Sequence, residues 1–328
     1  MQIAIATAGD HAGFRALVDA EIRPDRAKTH AWDDFPLVLD PANAPWTLVA
    51  RAPDGSVAAG VAALIRDHTT SLGTLAVAGV GSVVTRPEFR GRGLSTALQN
   101  ALLERLRRQD VPLAVLWTDQ PEIYAGRGFA AAGWEHHADL AGVAWPPAPP
   151  GLTIRAYAGT DAPAVAALYA RHRWRTVRQP GDDRRLYGMP GTRGLVAVDG
   201  TGAVVAAVFC GKGADFPGYV PEWDGPCDAV LALLAEAHGR RWVEAVLIPA
   251  GGEALLEALA ARDAGWAVQP SGQWCVVRPD LLAAAAAAAG VAPPAAAEQA
   301  AAWLGAPDGQ GGVRPGVLAA AVWGFDSV

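Results

Sequence analysis

The amino-acid sequence predicts an α/β fold made of two tandem copies of one domain. Segments typical of strands and of helices alternate along most of the 328 residues, which favours mixed central sheets flanked by helices. The chain is longer than the roughly 250 residues at which single cores stop growing. A proline-rich segment, Trp145–Gly151, suits neither a helix nor a central strand. We therefore expect two α/β domains on either side of a stiff linker.

The elements of the first copy follow from the spacing of its apolar residues. Leu94, Leu98, Leu102 and Leu106 recur at helical spacing. Small apolar residues alternate on both sides of Asp54–Gly55, as in a β-hairpin. The main predicted elements are, in order, strand Ile3–Ala6, helix Ala12–Glu21, strands Thr47–Ala52, Val57–Ile65 and Leu75–Thr85, helix Leu94–Arg108, strand Leu113–Trp117 and a strand from Phe129 onward.

The residues after the linker repeat the start of the chain. One ungapped match pairs Ile3, Asp10 and Leu17 with Ile154, Asp161 and Leu168, and a second pairs the hairpin around Asp54–Gly55 with one around Asp199–Gly200. We expect a first domain at 1–145, a linker at 146–151, a second domain at 152–280 and a tail at 281–328. The tail contains an alanine-rich helix, a second short helix at Ala295–Leu304 and an apolar end, and we expect it to pack on the two domains.

Composition excludes several classes of protein. The 27 basic and 33 acidic residues give a net charge of −6, so no basic field exists to bind nucleic acid or an anionic membrane. No apolar run approaches the roughly 18 residues of a membrane span. Cys210, Cys227 and Cys275 form no CxxC pair, which argues against a structural metal and against a disulfide framework. We expect a cytoplasmic protein without metal.

One basic cluster remains, between Arg171 and Arg185. Tryptophan lies among its arginines, but one basic helix on an acidic chain is usually a solvated or salt-bridged face. We expect no nucleic-acid partner.

The most informative segment joins a strand to a helix through a basic glycine loop. The strand ends at Pro87, and the helix begins near Leu94. Free N–H groups and the dipole at a helix start attract anions. The glycines allow close approach of a ligand, and the arginines supply charge for a pyrophosphate. No Gly-Lys-Ser/Thr follows, so this is not a Walker loop.

These residues carry a resemblance to a known superfamily. Arg90-x-x-Gly93-x-Ser95 resembles the acyl-CoA pyrophosphate loop of GNAT acetyltransferases, with Ser95 where Gly or Ala is usual. Tyr124, four residues before Gly128-Phe129, resembles the later motif of that superfamily. The string Val83–Arg90 and the tandem layout are most similar to the enhanced intracellular survival protein family of bacterial N-acetyltransferases.

The resemblance implies a reaction and a set of site residues. Acetyl-CoA would be the cosubstrate, and Tyr124, protonated at neutral pH, would be the general acid for the departing thiolate. Backbone groups at the end of a strand splayed by Gly79 and Gly81 would bind the pantetheine arm and polarise the thioester. The residues assigned to the pantetheine are Val83, Val84 and Thr85, and those assigned to the pyrophosphate loop are Arg90, Gly91, Arg92, Gly93, Leu94, Ser95 and Thr96.

The sequence leaves more than one candidate for the general base and for the acceptor. In the related family the C-terminal carboxylate reaches the active site, which implies Val328 here, although those relatives carry a full third domain. Glu122, Asp119 or a chain of waters are alternatives. The acceptor is an amine of a small molecule or a peptide, with aminoglycosides, polyamines, lysine side chains and small metabolites all open. A homo-oligomer also stays open.

The second copy lacks these motifs. Aligned by eye, Glu222–Cys227 falls on the basic loop, so Glu222 and Asp224 would replace arginines and repel a pyrophosphate. Ala261 falls at the position of Tyr124. We expect no CoA binding there, and the two carboxylates are either a cation-attracting wall of the amine site or plain surface charge.

Two alternative functions remain. One is a mycothiol-synthase-like tandem acetyltransferase, in which the second copy is the active one. The other is a non-catalytic acyl-CoA-binding or protein-interaction module. The intact motifs of the first copy, Tyr124 included, favour the N-acetyltransferase.

Overall fold

A computed structural model describes residues 1–23 and 30–328. The first half begins with a strand and a helix and continues with a three-stranded meander, a helix and four short elements. Its elements are β1 Ile3–Ile5, α1 Ala8–Ile22, α2 Ala31–Asp34, β2 Thr47–Arg51, β3 Val57–Thr70, β4 Gly73–Thr85, α3 Leu94–Arg108, β5 Leu113–Leu116, α4 Glu122–Ala125, β6 Ala130–Ala132 and β7 Glu135–Asp139.

The second half follows a similar order. They are β8 Thr153–Ala156, α5 Ala162–Tyr169, β9 Arg175–Thr176, α6 Asp182–Leu186, β10 Arg193–Val198, β11 Val204–Cys210, β12 Tyr219–Val220, β13 Glu222–Asp224, α7 Cys227–Gly239, β14 Ala245–Pro249, α8 Glu253–Ala260, β15 Trp266–Gln269 and β16 Gly272–Val276. The tail adds α9 Pro279–Ala288, α10 Ala300–Leu304, β17 Ala306–Pro307 and β18 Val313–Arg314.

The two halves exchange a strand in each direction. The first sheet has the order β1-β2-β3-β4-β5-β16-β6, with β9 also pairing β3, so the last strand of the second half lies between two strands of the first. In return, β7 lies between β14 and β15 in the sheet β12-β14-β7-β15. The remaining strands of the second half form the sheet β13-β11-β10-β8. Neither half completes its sheets alone, which the predicted domain bounds did not anticipate.

The tail lies across the junction of the halves. Trp303 and Leu318 share a core with Trp274 of β16, and Trp323 packs in the core of the second half. Phe325 contacts a third cluster that joins α1 to β11. The chain end is thereby placed between the two halves, beside the first sheet.

The predicted α/β class is confirmed, and the first-half elements lie close to their predicted positions. The strand predicted at Val57–Ile65 instead runs to Thr70. In the added part of the strand, His68 and Thr70 are buried, and Arg66 pairs with Asp182 of the second half at 3.0 Å.

The prediction of one basic helix within Arg171–Arg185 is wrong. Helix α5 ends at Tyr169, and Arg175–Thr176 is a strand on the edge of β3. Arg178 is buried rather than solvated, with ion pairs to Glu222, Asp326 and Asp183. The predicted helix Ala295–Leu304 is also shorter and begins at Ala300.

Candidate active site

A cleft opens where β4 and β5 separate. Their parallel pairing covers only Val77–Gly79 of β4 and Leu113–Val115 of β5. Past Gly79, β4 follows β3 alone, with a register shift opposite Gly60–Ala62. Ser82, in that irregular stretch, has φ +55°, which is uncommon for a residue with a side chain. The backbone edge of β4 that faces β5 is therefore available to a ligand.

The predicted loop leads from this cleft into the start of α3. Gly91 and Gly93 both have φ +73° and open space where a Cβ would lie. Gly93 is the N-cap of α3, with no side-chain cap, so the amides of the first turn face outward. Leu94 is buried and anchors the helix, and Ser95 accepts a hydrogen bond from Gln99 at 2.8 Å. The loop has the shape of an anion site.

Three arginines surround the loop. Arg90 pairs with Glu21 of α1, and its Nε donates to the carbonyl of Thr85 at 3.2 Å. Arg92 donates to the carbonyl of Glu88 at 3.0 Å. Arg127, which was not among the predicted site residues, donates to Thr96 and thus ties the turn after α4 to the start of α3. The loop is a cationic surface.

Tyr124 lies on the opposite side of the cleft. It belongs to the short helix α4, and its ring meets that of Phe129 edge-on at 6.2 Å between centroids. Burial raises the pKa of Tyr124 above its usual value of 10.0, with a smaller opposing effect from Arg127. The phenol is therefore protonated at neutral pH and able to donate a proton.

Val328 reaches the same cleft from the tail. A Cβ on Gly79 would lie 2.8 Å from a methyl group of Val328, and one on Gly81 would lie 3.0 Å from its carbonyl carbon. These glycines were predicted to splay the strand. They also make room for Val328.

A cavity of about 680 Å³ occupies the cleft, and several of the predicted site residues line it. Tyr124, Val328 and Val83 line it, and so does Asp119, one of the alternative bases, whereas Glu122 does not. Val84 is buried, and Thr85 pairs with Ala59 of β3 at the end of β4, so neither residue lines the cavity. The second half contributes Asp215 and Phe216, a segment that the sequence reasoning missed because no motif marks it.

The second copy has a smaller cavity at the equivalent place, of about 300 Å³, with Trp223, Gly225 and Cys227 in its lining. Its strand breaks at Pro221, where β12 leaves β14 and β13 joins β11. Trp223 is 6% exposed, and its indole donates to the carbonyl of Leu247 on β14 at 3.1 Å. The indole thus lies where a ligand would enter. Only Gly225 and Pro226 separate β13 from α7, so a long basic loop is absent there.

The two interpretations offered for Glu222 and Asp224 are both wrong. The side chains are fully buried, so they form neither a wall of the cavity nor a charged surface. Glu222 accepts hydrogen bonds from Arg178 and, at 2.8 Å, from Tyr187, and Asp224 pairs with His172 at 2.9 Å. These carboxylates are part of the core, on β13 rather than in a loop.

Within residues 1–23 and 30–328, no group of His, Cys, Asp or Glu is arranged to hold a metal ion. Over the same ranges, no helix is long and apolar enough to cross a membrane.

Comparison with known proteins gives relatives of one kind. Residues 2–132 match the acetyltransferase (GNAT) domain model. An uncharacterised N-acetyltransferase of Streptomyces avermitilis is 28% identical over 212 residues, which is 58% of this chain and 51% of the relative. The chain thus matches about half the length of that curated protein.

Solved structures share the fold of most of the chain. A probable N-acyltransferase from Enterococcus faecalis has a TM-score of 0.65 at 16% identity, with 84% of this chain and 72% of that one covered. A GCN5-related N-acetyltransferase from Anabaena variabilis gives 0.63 at 17%, with 84% and 73% covered. Eis1 from Mycobacterium abscessus gives 0.62 at 16%, with 87% and 76% covered. The chain therefore contains a GNAT acetyltransferase domain at residues 2–132, and most of the chain shares the fold of these solved structures.

Proposed function

We propose that the protein is an acetyl-CoA-dependent N-acetyltransferase whose chemistry takes place in the first half. The observation that carries this proposal is the single cavity lined by Tyr124, Val328 and the free edge of β4, next to the uncapped start of α3. A site for a phosphorylated cosubstrate and a proton donor thus adjoin the same cavity.

The roles of the residues follow from the chemistry of acetyl transfer. The loop from Arg90 to Thr96 holds the pyrophosphate, with Arg127 as a further cation nearby. Backbone groups of β4 from Val83 onward bind the pantetheine arm, which lies in the opening between β4 and β5. This arrangement directs the thioester towards Tyr124, because Val83 of β4 and Tyr124 line the same cleft.

The reaction needs two proton transfers. The amine nitrogen attacks the thioester carbonyl carbon, and the carbon–sulfur bond then breaks, giving an N-acetyl amine and CoA. Tyr124 donates its proton to the departing thiolate. The proton released by the amine passes to a base, for which we assign the carboxylate of Val328, since it lies at the cavity between Gly79 and Gly81. Asp119 is the second candidate base.

The wall of the cavity favours a cationic acceptor. Glu21, Asp119 and Asp215 contribute carboxylates, and Phe35, Trp117 and Phe216 contribute aromatic rings. Arg23 is the opposing charge, and it is held by Asp34 at 2.7 Å and by Asp215 at 2.8 Å. A protonated amine is attracted to such a surface and loses its proton there.

A coenzyme A release assay tests the proposal. Acetyl-CoA is offered with a panel of a polyamine, an aminoglycoside, a lysine peptide and a small primary amine. Thiol release with at least one amine is expected, and release should fall in Tyr124→Phe. Measurable CoA binding with no release from any amine would instead favour a non-catalytic binding module.

A further inference from the structure

Lys212 is an unusual residue in this chain. Of the 27 basic residues only Lys28 and Lys212 are lysines. Lys212 follows β11 of the second half and is 1% exposed. An ammonium group is costly to bury unless it is well hydrogen-bonded. A lysine at this depth therefore calls for a specific partner.

The partner of Lys212 is the end of the tail. Its Nζ donates to the hydroxyl of Ser327 at 2.6 Å and also to the carbonyl of Ser327. The hydroxyl in turn donates to the carbonyl of Gly324 at 2.7 Å. One ammonium group thus fixes both the side chain and the main chain of the residue before Val328.

The position of Val328 depends on that contact more than on the rest of the tail. Asp326 is held separately, by Arg178 at 2.9 Å and by the hydroxyl of Tyr169 at 2.8 Å. Loss of the Lys212 contact would leave Asp326 anchored and release only Ser327 and Val328. These are the tail residues that line the cavity with Tyr124.

We propose that Lys212 is a positioning residue, which holds Ser327 and thereby sets where Val328 lies in the cleft of the first half. The inference rests on the proposed acetyltransferase function of that cleft. It gives the second half, which lacks the basic loop and the tyrosine of the first half, a part in catalysis. The charged groups around Lys212 are Asp34, Asp215, Asp326 and Arg23, and burial lowers its pKa to about 8.

Steady-state kinetics of Lys212→Met test the role. Methionine keeps the apolar stem and removes the charge and the donors. We expect kcat to fall by about tenfold or more, because small displacements of a reacting group are costly, with KM for acetyl-CoA changed less than about twofold. If Lys212 only stabilised the fold, the substitution would not lower kcat while leaving KM for acetyl-CoA nearly unchanged. Equal kcat in the variant and the wild type overturns the proposal.

Arg185→Met is the matched control. Arg185 also belongs to the second half and pairs with the first, through Asp40 and the carbonyl of Pro36, but it does not line the cavity. Its kcat should stay within about twofold of the wild type. A loss as large as that of Lys212→Met would show that any weakened contact between the halves lowers turnover, which also overturns the proposal.

A measurement on the wild type keeps the test independent of the folding of a variant. With ¹⁵N-labelled lysine the spectrum contains two side-chain signals, and we expect one to be protected from solvent exchange, to titrate near the lowered pKa of about 8 and to shift in Ser327→Ala. If both lysine signals titrate like a free lysine, or if neither shifts in Ser327→Ala, Lys212 does not bind Ser327 and the proposal is overturned. This NMR measurement needs no acceptor amine, so it tests the Lys212 contact by itself. Failure of the proposed function would instead appear as absence of CoA release in the assay.

Discussion

The side chain of Val328 lies against Gly79, so closely that a Cβ on Gly79 would come within 2.8 Å of its Cγ2. Gly79 is also the last residue of β4 that pairs with β5. The tail therefore seats its end at the point where the two strands begin to separate. Absence of a side chain at this position makes room for Val328.

Gly79→Ala should displace Val328 and lower turnover. The new methyl group overlaps the valine, and the valine can move more easily than the paired strand. We expect kcat to fall by about tenfold or more, since misplacement of a catalytic group by about 1 Å can be that costly, while the affinity for CoA changes little. Steady-state kinetics and CoA titration measure the two effects.

Gly239→Ala is the control for this change. Gly239 ends α7, and a Cβ there meets nothing within 4 Å. Its activity should equal that of the wild type. If Gly79→Ala is equally active, the position of Val328 does not matter to the reaction.

Tyr124→Phe should lower kcat by about 100-fold, the range in which general acids contribute. The ring and its edge-on contact with Phe129 remain, so CoA affinity should be nearly unchanged. Since burial raises the pKa of Tyr124, ionisation of this residue should not reduce wild-type activity below about pH 10. Tyr219→Phe removes a hydroxyl outside the cavity and serves as the control. Unchanged turnover in Tyr124→Phe would remove the residue from the mechanism.

Arg90→Glu should abolish measurable CoA binding, because it replaces an attractive charge with a repulsive one beside the start of α3. Arg314→Glu, an equal charge change on β18 of the tail, should bind normally. Glu21→Gln should raise the affinity for CoA by up to about fivefold, since Arg90 no longer has to leave an exposed ion pair. Calorimetric titration with CoA measures all three. Wild-type affinity in Arg90→Glu would refute the loop assignment.

The local parts of the site were predictable from sequence, and the long-range parts were not. The glycine loop and the turn after α4 are short segments whose residue types determine their geometry, so their motifs were visible. Asp215 and Phe216 reach the cavity from the second half, and Lys212 reaches Ser327, through tertiary packing, which leaves no periodic or spaced pattern.

Burial explains the errors as well. Glu222, Asp224 and Arg178 are charged residues, and charge usually indicates a surface. Here Arg178 pairs with Glu222, and His172 pairs with Asp224, inside the core, so composition predicted the wrong environment. The exchange of β7 and β16 between the halves could not be predicted either. A strand shows the same alternation of inward and outward side chains in whichever sheet it pairs.

His68 gives a prediction about pH. It is buried on β3 beneath the tail, near Asp326 and Asp67 and hydrogen-bonded with the backbone of Ala321, and burial lowers its pKa from 6.5 to about 4. Between these values the unfolded chain binds more protons at this residue than the folded chain does. The free energy of unfolding therefore rises with pH across this window and falls as the solution is acidified from pH 6.5 towards pH 4.

Urea unfolding at pH 7 and at pH 4.5 measures the effect. His68 alone should account for a loss of about 2 to 3 kcal/mol over this range. Burial also lowers the pKa values of His11 and His136, so the wild-type slope includes their contributions. The difference between wild type and His68→Asn isolates the residue, and the slope of the variant should be flatter by that amount. Equal slopes in wild type and His68→Asn would show that His68 is not held neutral beneath the tail.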